Sequence, residues 1–254
     1  MKITFDSNVW RIISSPDKFP NEPSIEAFRT IRKAIDEKKI TAFLCETVFT
    51  LEAIQRKDRK EFFSDYRANI NSSVEESENG EIKLSICMGP DTTAHPGNNK
   101  YLESHLNDAI SIGFQIIKLP RVAGVVNPDI EAHFYKHNDL DAYHDKVFKL
   151  GREIELKQAG MFHIKELGKK YNAQWTTGIE QAPENETGNI SKAIAEWADG
   201  DSVACHIAVG GDYLCTRDTA KKAGDKSIFS ESNIKWLNSE YDFHIISPEE
   251  LARK

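Results

Sequence analysis

Apolar residues recur along this chain with two different periods, and the two periods alternate. Short apolar runs at 2–5 and 40–45 are typical of buried strands, whereas 24–38 carries its apolar residues at helical spacing. The same spacing predicts a second helix from 46 to about 70. Because this opening has the order strand, helix, strand, helix, it favours a parallel sheet joined by right-handed crossovers.

The middle of the chain is less regular, and residues 71–112 are predicted to form an insertion. Ser, Glu and Asn dominate its first part, a strand is expected at 82–87, and a helix is expected at 101–112. An apolar run at 114–119, closed by Pro120, then predicts a third strand of the sheet.

Residues 139–188 are predicted to add helices and a loop. The stretch 140–171 indicates one or two amphipathic helices interrupted near Gly160, and 175–188 has the Thr, Gly, Glu and Pro content of a loop. The sequence contains no internal repeat. The whole chain, 1–254, is therefore interpreted as a single domain.

The last quarter of the chain predicts helices that begin and end at identifiable residues. The helical pattern of 189–209 is interrupted at 198–200, so Asp201 is expected to open a new helix, which Gly210 ends together with the glycine after it. A buried strand is expected to follow at 213–215.

The chain closes with a strand and a capped helix. Apolar residues at 243–246 predict the strand, and Ser247 followed by Pro248 is typical of a helix N-terminus. The predicted fold is therefore α/β: a three-layer α/β/α sandwich with a central, mostly parallel sheet and a helical and irregular insertion.

Charge and hydropathy narrow the functional classes. The net charge of −7 argues against a broad phosphate-binding surface, although Arg56, Lys57, Arg59 and Lys60 could meet a phosphate backbone locally. A solvated helix face is the alternative for this basic run. Because the sequence has neither a signal-peptide pattern nor an apolar run that could span a bilayer, a cytoplasmic protein without a membrane partner is expected.

The four cysteines do not have the spacing of a metal or redox motif. Cys45, Cys87, Cys205 and Cys215 form no CxxC pair, and most of them lie in apolar runs. Buried free thiols are therefore predicted.

Four acids, Asp6, Glu52, Asp201 and Asp218, are expected to converge. Asp6 and Asp218 each follow a strand of the predicted sheet, at the edge where parallel α/β folds bind their ligands. Glu52 is expected on the sheet-facing side of its helix, and Asp201 at a helix N-terminus, where the macrodipole favours an anion. Since clustered carboxylates repel unless a cation neutralises them, the four acids predict a site for Mg²⁺ or Mn²⁺.

The motifs that carry these acids resemble those of the PIN domain family. They are Asp6-Ser7-Asn8 after the first strand, residues 46–52 after the second, Asp201-Ser202-Val203-Ala204 with Ala208, Thr216-Arg217-Asp218, and the tail at 245–251. The resemblance covers roughly residues 1–60 and 190–252. It implies a metal-dependent endoribonuclease fold.

Residue roles follow from the resemblance by position. It implies metal-binding acids at Asp6, Glu52, Asp201 and Asp218, with Asn8 and Thr216 as the polar neighbours that orient them.

Two acids compete for the third metal position. Asp199 and Asp201 lie at the same predicted helix entrance. Asp201 is preferred, because Ala204 and Ala208 follow it where the family has small packing residues.

The implied reaction is hydrolysis of RNA phosphodiester bonds, in which water acidified by the metal attacks phosphorus in line and leaves 5′-phosphate and 3′-hydroxyl ends. The biological role would be that of a toxin in a toxin–antitoxin pair or of a defence effector. The expected partners are an RNA substrate, a protein inhibitor (antitoxin) and a further copy of the chain. Toxins of this family are usually much shorter, so the long middle segment could select a substrate or bind a partner.

Two other functions remain open. An aspartyl-nucleophile phosphatase would also have an acid such as Asp6 after its first strand, but Asn8 stands where that chemistry needs a second acid. A non-catalytic interaction scaffold could keep the same fold. Each acid also has a structural alternative, as a strand end, a helix surface residue, an N-cap or a turn residue.

Histidine and tryptophan residues offer two weaker hypotheses. His133, His137 and His144 could coordinate zinc if they shared one helix, although no Cys or HExxH context supports this. Trp10 and Trp175 could stack on bases or simply pack in the core.

Overall fold

Five parallel strands form the centre of the protein. The computed structural model describes residues 1–65, 69–76, 82–89, 95–120, 127–218 and 226–254. The strands are β1 (Lys2–Phe5), β2 (Thr41–Cys45), β5 (Gln115–Ile117), β6 (Tyr213–Cys215) and β7 (Ile245–Ile246). They lie in the order β5-β2-β1-β6-β7, and every pairing is parallel. The predicted α/β class with a central parallel sheet is confirmed.

The strand order reverses between β1 and β6, next to the centre of the sheet. From β1 the chain first adds β2 and β5 on one side, and then returns to add β6 and β7 on the other. In parallel α/β sheets such a reversal opens a crevice beyond the carboxyl ends of the strands. The residues that directly follow β1 and β6 therefore face each other across this crevice.

Helices cover both faces of the sheet. One face packs on α1 (Trp10–Ser14), α2 (Ile25–Asp36), α4 (Lys100–Ser111) and α10 (Pro248–Leu251), and the other packs on α5 (Leu140–Leu156), α8 (Thr187–Ala208) and α9 (Glu231–Tyr241). Strand β2 shows why: Ala42 and Leu44 join the first core, whereas Phe43 and Cys45 join the second. This arrangement is consistent with a three-layer sandwich.

A third apolar cluster lies beside the sandwich. It is formed by α3 (Arg59–Asp65), α6 (Phe162–Lys169), α7 (Trp175–Gln181) and the first half of α8. Helices α6 and α7 meet so closely that a Cβ atom at Gly178 would lie 1.9 Å from the carbonyl oxygen of Gly168. Helix α8 thus belongs both to this cluster and to the sandwich.

Strands β3 (Asn69–Glu76) and β4 (Ile82–Gly89) form an antiparallel pair that is not part of the central sheet. The strand predicted at 82–87 is confirmed, whereas the prediction that a helix continues to about residue 70 is wrong. Residues 77–81, between the two strands, lie outside the described residues.

The helix predicted from residue 46 is also wrong over its first part. A short 3-10 helix, Glu46–Val48, is followed by turns over 49–58. Residues with branched or aromatic side chains follow Glu46, and they lose rotamer freedom in a helix. The hydroxyl and the N–H of Thr50 both donate to the carbonyl oxygen of Glu46, at 3.1 Å and 3.0 Å, and Arg59 donates to a carbonyl group further along the turns.

Helix α8 runs without a break through residues 198–200, where an interruption was predicted. Gly200 does not end the helix. It allows α8 to pack closely against Gly160, because a Cβ atom at position 200 would lie 2.8 Å from the Cα of Gly160. Gly160 has a φ of +61° in the connection between α5 and α6. The loop predicted at 175–188 is likewise wrong, since α7 and the beginning of α8 occupy most of it.

Other predicted elements are confirmed. These are α2, α4, the paired helices α5 and α6 with their interruption near Gly160, and the glycine stop after α8, where Gly210 has a φ of +68°. Ser247 and Glu250 form a capping box on α10. Helices α1 and α9 were not predicted.

Three of the cysteines, Cys45, Cys205 and Cys215, are buried free thiols as predicted, and the side chain of Cys87 lies outside what the structure describes. Within the described ranges, no helix has the length and apolar character needed to cross a membrane.

Candidate metal centre

Asp6 is held in place at the carboxyl end of β1. Its backbone N–H donates to the carbonyl oxygen of Cys215 on β6 at 3.0 Å. Its Oδ1 accepts from the N–H of Ser7 at 2.6 Å, and its Oδ2 accepts from Asn8 Nδ2 at 2.8 Å and from Thr216 Oγ1 at 2.5 Å. The carboxylate is therefore fixed by three donors from two strand ends.

Thr216 and Asn8 join the ends of β1 and β6. The Thr216 hydroxyl accepts from Asn8 Nδ2 at 3.1 Å and from the N–H of Asp218 at 2.9 Å, while Asn8 Oδ1 accepts from the N–H of Arg217 at 3.1 Å. Both residues were expected to orient the acids, and their contacts with Asp6 are of that kind. A connected hydrogen-bond network thus joins the residues that follow β1 and β6.

Glu52 lies in the turns after β2 instead of on a helix. Its N–H donates to the carbonyl oxygen of Thr47 at 3.0 Å. The turn is fixed by Arg59, only 5% exposed, which donates to the carbonyl oxygens of Ile54 at 3.1 Å and Ser191 at 3.0 Å. Arg59 is therefore neither a solvated surface residue nor available for a phosphate, and Lys60 pairs with Glu184.

Asp199 completes a group of three acids. One carboxylate oxygen from each of Asp6, Glu52 and Asp199 lies within 4.8 Å of the other two, and all three side chains are half-buried. They come from a strand end, a turn and the middle of α8. Such a group offers three hard oxygen ligands at one point.

Asp201 does not join this group. It lies inside α8, only 1% exposed, and its Oδ2 accepts from Trp197 Nε1 at 2.7 Å. Its predicted position at a helix N-terminus is wrong. Because successive residues of an α-helix turn by about 100°, Asp199 and Asp201 point in very different directions, and only Asp199 reaches Asp6 and Glu52.

Asp218 borders the group without belonging to it. It lines the same cleft as the three acids, and its negative charge adds to the rise in the pKa of Asp6, of Asp199 and of Glu196. Glu196, three residues before Asp199, is a further acid that the sequence reasoning missed. Its i, i+3 spacing from Asp199 on α8 was the available signal.

Electrostatics in the centre are those of crowded, partly desolvated carboxylates. Burial and then the charge of Asp6 raise the pKa of Glu52 to about 7. Burial raises the pKa of Asp6 as well, and burial followed by repulsion from Asp6 and Glu52 raises the pKa of Asp199 well above its ordinary range. The three acids therefore resist full ionisation unless a cation neutralises them.

The acids open into a cleft of about 510 Å³. Besides the acids, the cleft is lined by polar, basic and aromatic residues, among them Asn8, Arg11, Arg56 and Tyr101. The last three were not singled out together from the sequence. Tyr101 and Arg11 lie far apart in the chain, so no local motif links them.

Neither of the weaker hypotheses gains support. Trp10 is 1% exposed and packs against Phe49, with ring centroids 5.6 Å apart. His137 stacks on Tyr143 at 3.7 Å, outside any helix. In the described part of the chain, the carboxylates are the only group of three candidate ligands that converge.

Comparison of the chain with protein-family models, with curated proteins and with solved structures gave no match.

Proposed function

We propose that this protein is a PIN-like, divalent-metal-dependent nuclease that hydrolyses phosphodiester bonds in RNA. The observation that carries the proposal is the convergence of Asp6, Glu52 and Asp199, with carboxylate oxygens within 4.8 Å of one another, at the sheet edge where parallel α/β folds bind ligands. The motif resemblance around Asp6 and Thr216 supports the same assignment.

The residues fit a hard divalent cation. All three converging groups are carboxylates, which suit Mg²⁺ or Mn²⁺ better than softer metals. Burial, followed by repulsion among the acids, raises their pKa values, and a bound cation would favour the ionised carboxylates. When bound, the cation would acidify a water and offset charge on the phosphate oxygens.

The protein's own groups have separate tasks in this proposal. Asp6 accepts three hydrogen bonds, so about one of its four lone-pair sites is left, on Oδ1, to bind the cation. Asn8 and Thr216 hold that carboxylate in place. Asp218, which borders the three acids, would accept the proton lost by the attacking water as the new O–P bond forms. The P–O3′ bond breaks, leaving a 5′-phosphate, and the 3′ oxygen takes a proton from solvent.

Cleavage of end-labelled RNA tests the proposal. The wild type is incubated with Mg²⁺, Mn²⁺ or EDTA, and is compared with Asp199→Asn and with Asp201→Asn as a matched control two residues away. We expect metal-dependent products with 5′-phosphate ends, loss of cleavage in Asp199→Asn, and cleavage close to wild type in Asp201→Asn.

Three results would count against the proposal: no cleavage of any RNA, cleavage that persists in EDTA, or equal activity in wild type and Asp199→Asn. Hydrolysis of p-nitrophenyl phosphate without RNA cleavage would point instead to the phosphatase hypothesis.

A further inference from the structure

The cleft that holds the acids also contains an exposed aromatic residue. Tyr101, in the first turn of α4, is 54% exposed, although its neighbour Leu102 is buried in the core. The Tyr101 ring is positioned by two contacts: the Arg11 guanidinium carbon lies 5.7 Å from its centroid, and the His105 ring meets it edge-on at 4.6 Å. The ring is thus fixed on a packed helix and still open to solvent.

Two cations line the same cleft and are available for a ligand. Arg56 is exposed and Arg11 is half-exposed, and within the described ranges neither forms an ion pair with a carboxylate. Arg59 differs from them, because backbone carbonyl groups occupy its guanidinium. Arg11 lies close enough to the acids for its charge to act on Glu52.

We infer that Tyr101 is a stacking platform for one unpaired base, and that Arg11 and Arg56 bind the phosphates beside it. The ligand would be a single-stranded segment of nucleic acid, and this inference rests on the proposed nuclease function. Bases inside a duplex have both faces covered by their neighbours, whereas an unpaired base can lie on a tyrosine ring. A cleft of about 510 Å³ has the size of a site for a small ligand, which suits one or two nucleotides and not a double helix.

Binding measured without cleavage tests the inference. Fluorescence anisotropy of labelled oligonucleotides is recorded in Ca²⁺, which takes the same oxygen ligands as Mg²⁺, and gels verify that the strands stay intact. The probes are a single-stranded RNA, a single-stranded DNA of the same sequence and a blunt RNA duplex.

Variants separate stacking from charge. Tyr101→Ala should weaken single-strand binding about tenfold or more, whereas Tyr101→Phe keeps the ring and should bind like the wild type. Arg56→Ala should weaken binding and lower the salt dependence by about one phosphate contact. Lys57→Ala removes an adjacent exposed cation that does not line the cleft, and should have little effect.

The inference is overturned if the duplex binds as tightly as the single strands, or if Tyr101→Ala binds like the wild type. Its failure differs from failure of the nuclease proposal. Tyr101-dependent binding without RNA cleavage in Mg²⁺ would support the inference and reject the nuclease proposal. RNA cleavage with unchanged binding and activity in Tyr101→Ala would support the nuclease proposal and reject the inference.

Discussion

Two of the converging acids, Asp6 and Asp199, come from contrasting structures, a strand end and helix α8. Asp6 directly follows β1, and its position is fixed by strand pairing and by donors on both strand ends. Asp199 depends on how α8 is rotated, because Asp201, two residues later, points to Trp197 instead. Both acids therefore depend on distant contacts, but the apolar strand before Asp6 marks its position in the sequence, whereas no local pattern shows how α8 is rotated.

Asp6→Asn tests the strand-end side of this comparison and should have the largest effect. Removing one converging charge should lower the rate of RNA cleavage by more than about a hundredfold, since neighbours that only orient a metal ligand cost about 10- to 100-fold. Asp212→Asn is the matched control, because Asp212 accepts a hydrogen bond from Lys2 at the other end of β1. Equal rates in the two variants would mean that the end of β1 is not the site.

Thr216→Val tests whether the network between the strand ends positions Asp6. Val has nearly the same shape but lacks the hydroxyl that donates to Asp6 and accepts from the N–H of Asp218. We expect metal affinity, measured by Mn²⁺ titration, to fall by about 10- to 100-fold. Thr216→Ser should restore most of it, and a Val variant with unchanged affinity would argue that strand pairing alone is sufficient.

Gly200→Ala tests the helix side of the comparison. A Cβ atom at this position would lie 2.8 Å from the Cα of Gly160, so α8 must shift or the protein must lose about 1–3 kcal/mol of stability. Thermal unfolding and Mn²⁺ affinity should both report the change, because Asp199 moves with α8.

Gly188→Ala is the control for this effect on the same helix. A Cβ atom there meets nothing within 4 Å in the described structure, and we expect unchanged or slightly higher stability. If Gly200→Ala unfolds at the same temperature as the wild type, the contact between Gly200 and Gly160 does not determine the position of α8.

The last test of the comparison is the pH dependence of metal binding. Because the pKa of Glu52 is about 7 and that of Asp199 is raised well above its ordinary range, Mn²⁺ must displace protons, and its affinity should rise about tenfold or more per pH unit up to pH 7. Without metal, the stability of the fold should change with pH in the opposite direction to the metal affinity. The folded state binds the proton more tightly than the unfolded chain, so the free energy of unfolding should fall as pH rises from about 4.5 to 7. Calorimetric titration and urea unfolding at several pH values would reveal a flat response if Glu52 is an ordinary exposed acid.

The same contrast explains which parts of the molecule could be predicted from sequence. Asp6 was identified from the apolar run before it, and the parallel sheet from the alternation of strands and helices, because both signals are local. Asp199 was ranked below Asp201 because Ala204 and Ala208 follow Asp201 where the family has small packing residues, and because a break in the helix was expected at Gly200. Its actual partner, Gly160, lies 40 positions earlier, and no local pattern contains that contact.

The turn that carries Glu52 shows a second limit of local reasoning. Apolar spacing after residue 46 predicts a helix, but buried Arg59 donates to carbonyl groups of the turns instead. The outcome depends on Ser191, far along the chain, which accepts from Arg59. Glu52 was therefore predicted as a site residue, but the turn that carries it was predicted as a helix.

The hydrogen bond from Thr216 to Asp6 joins residues that are 210 positions apart. During synthesis at about 5–20 residues per second, roughly 10–40 s separate the appearance of the first acid from that of the last strand needed to hold it. A ribosome-bound chain of this protein therefore carries no complete centre until Thr216 has been made. For an enzyme that cuts RNA, such late assembly would protect the template from its own product.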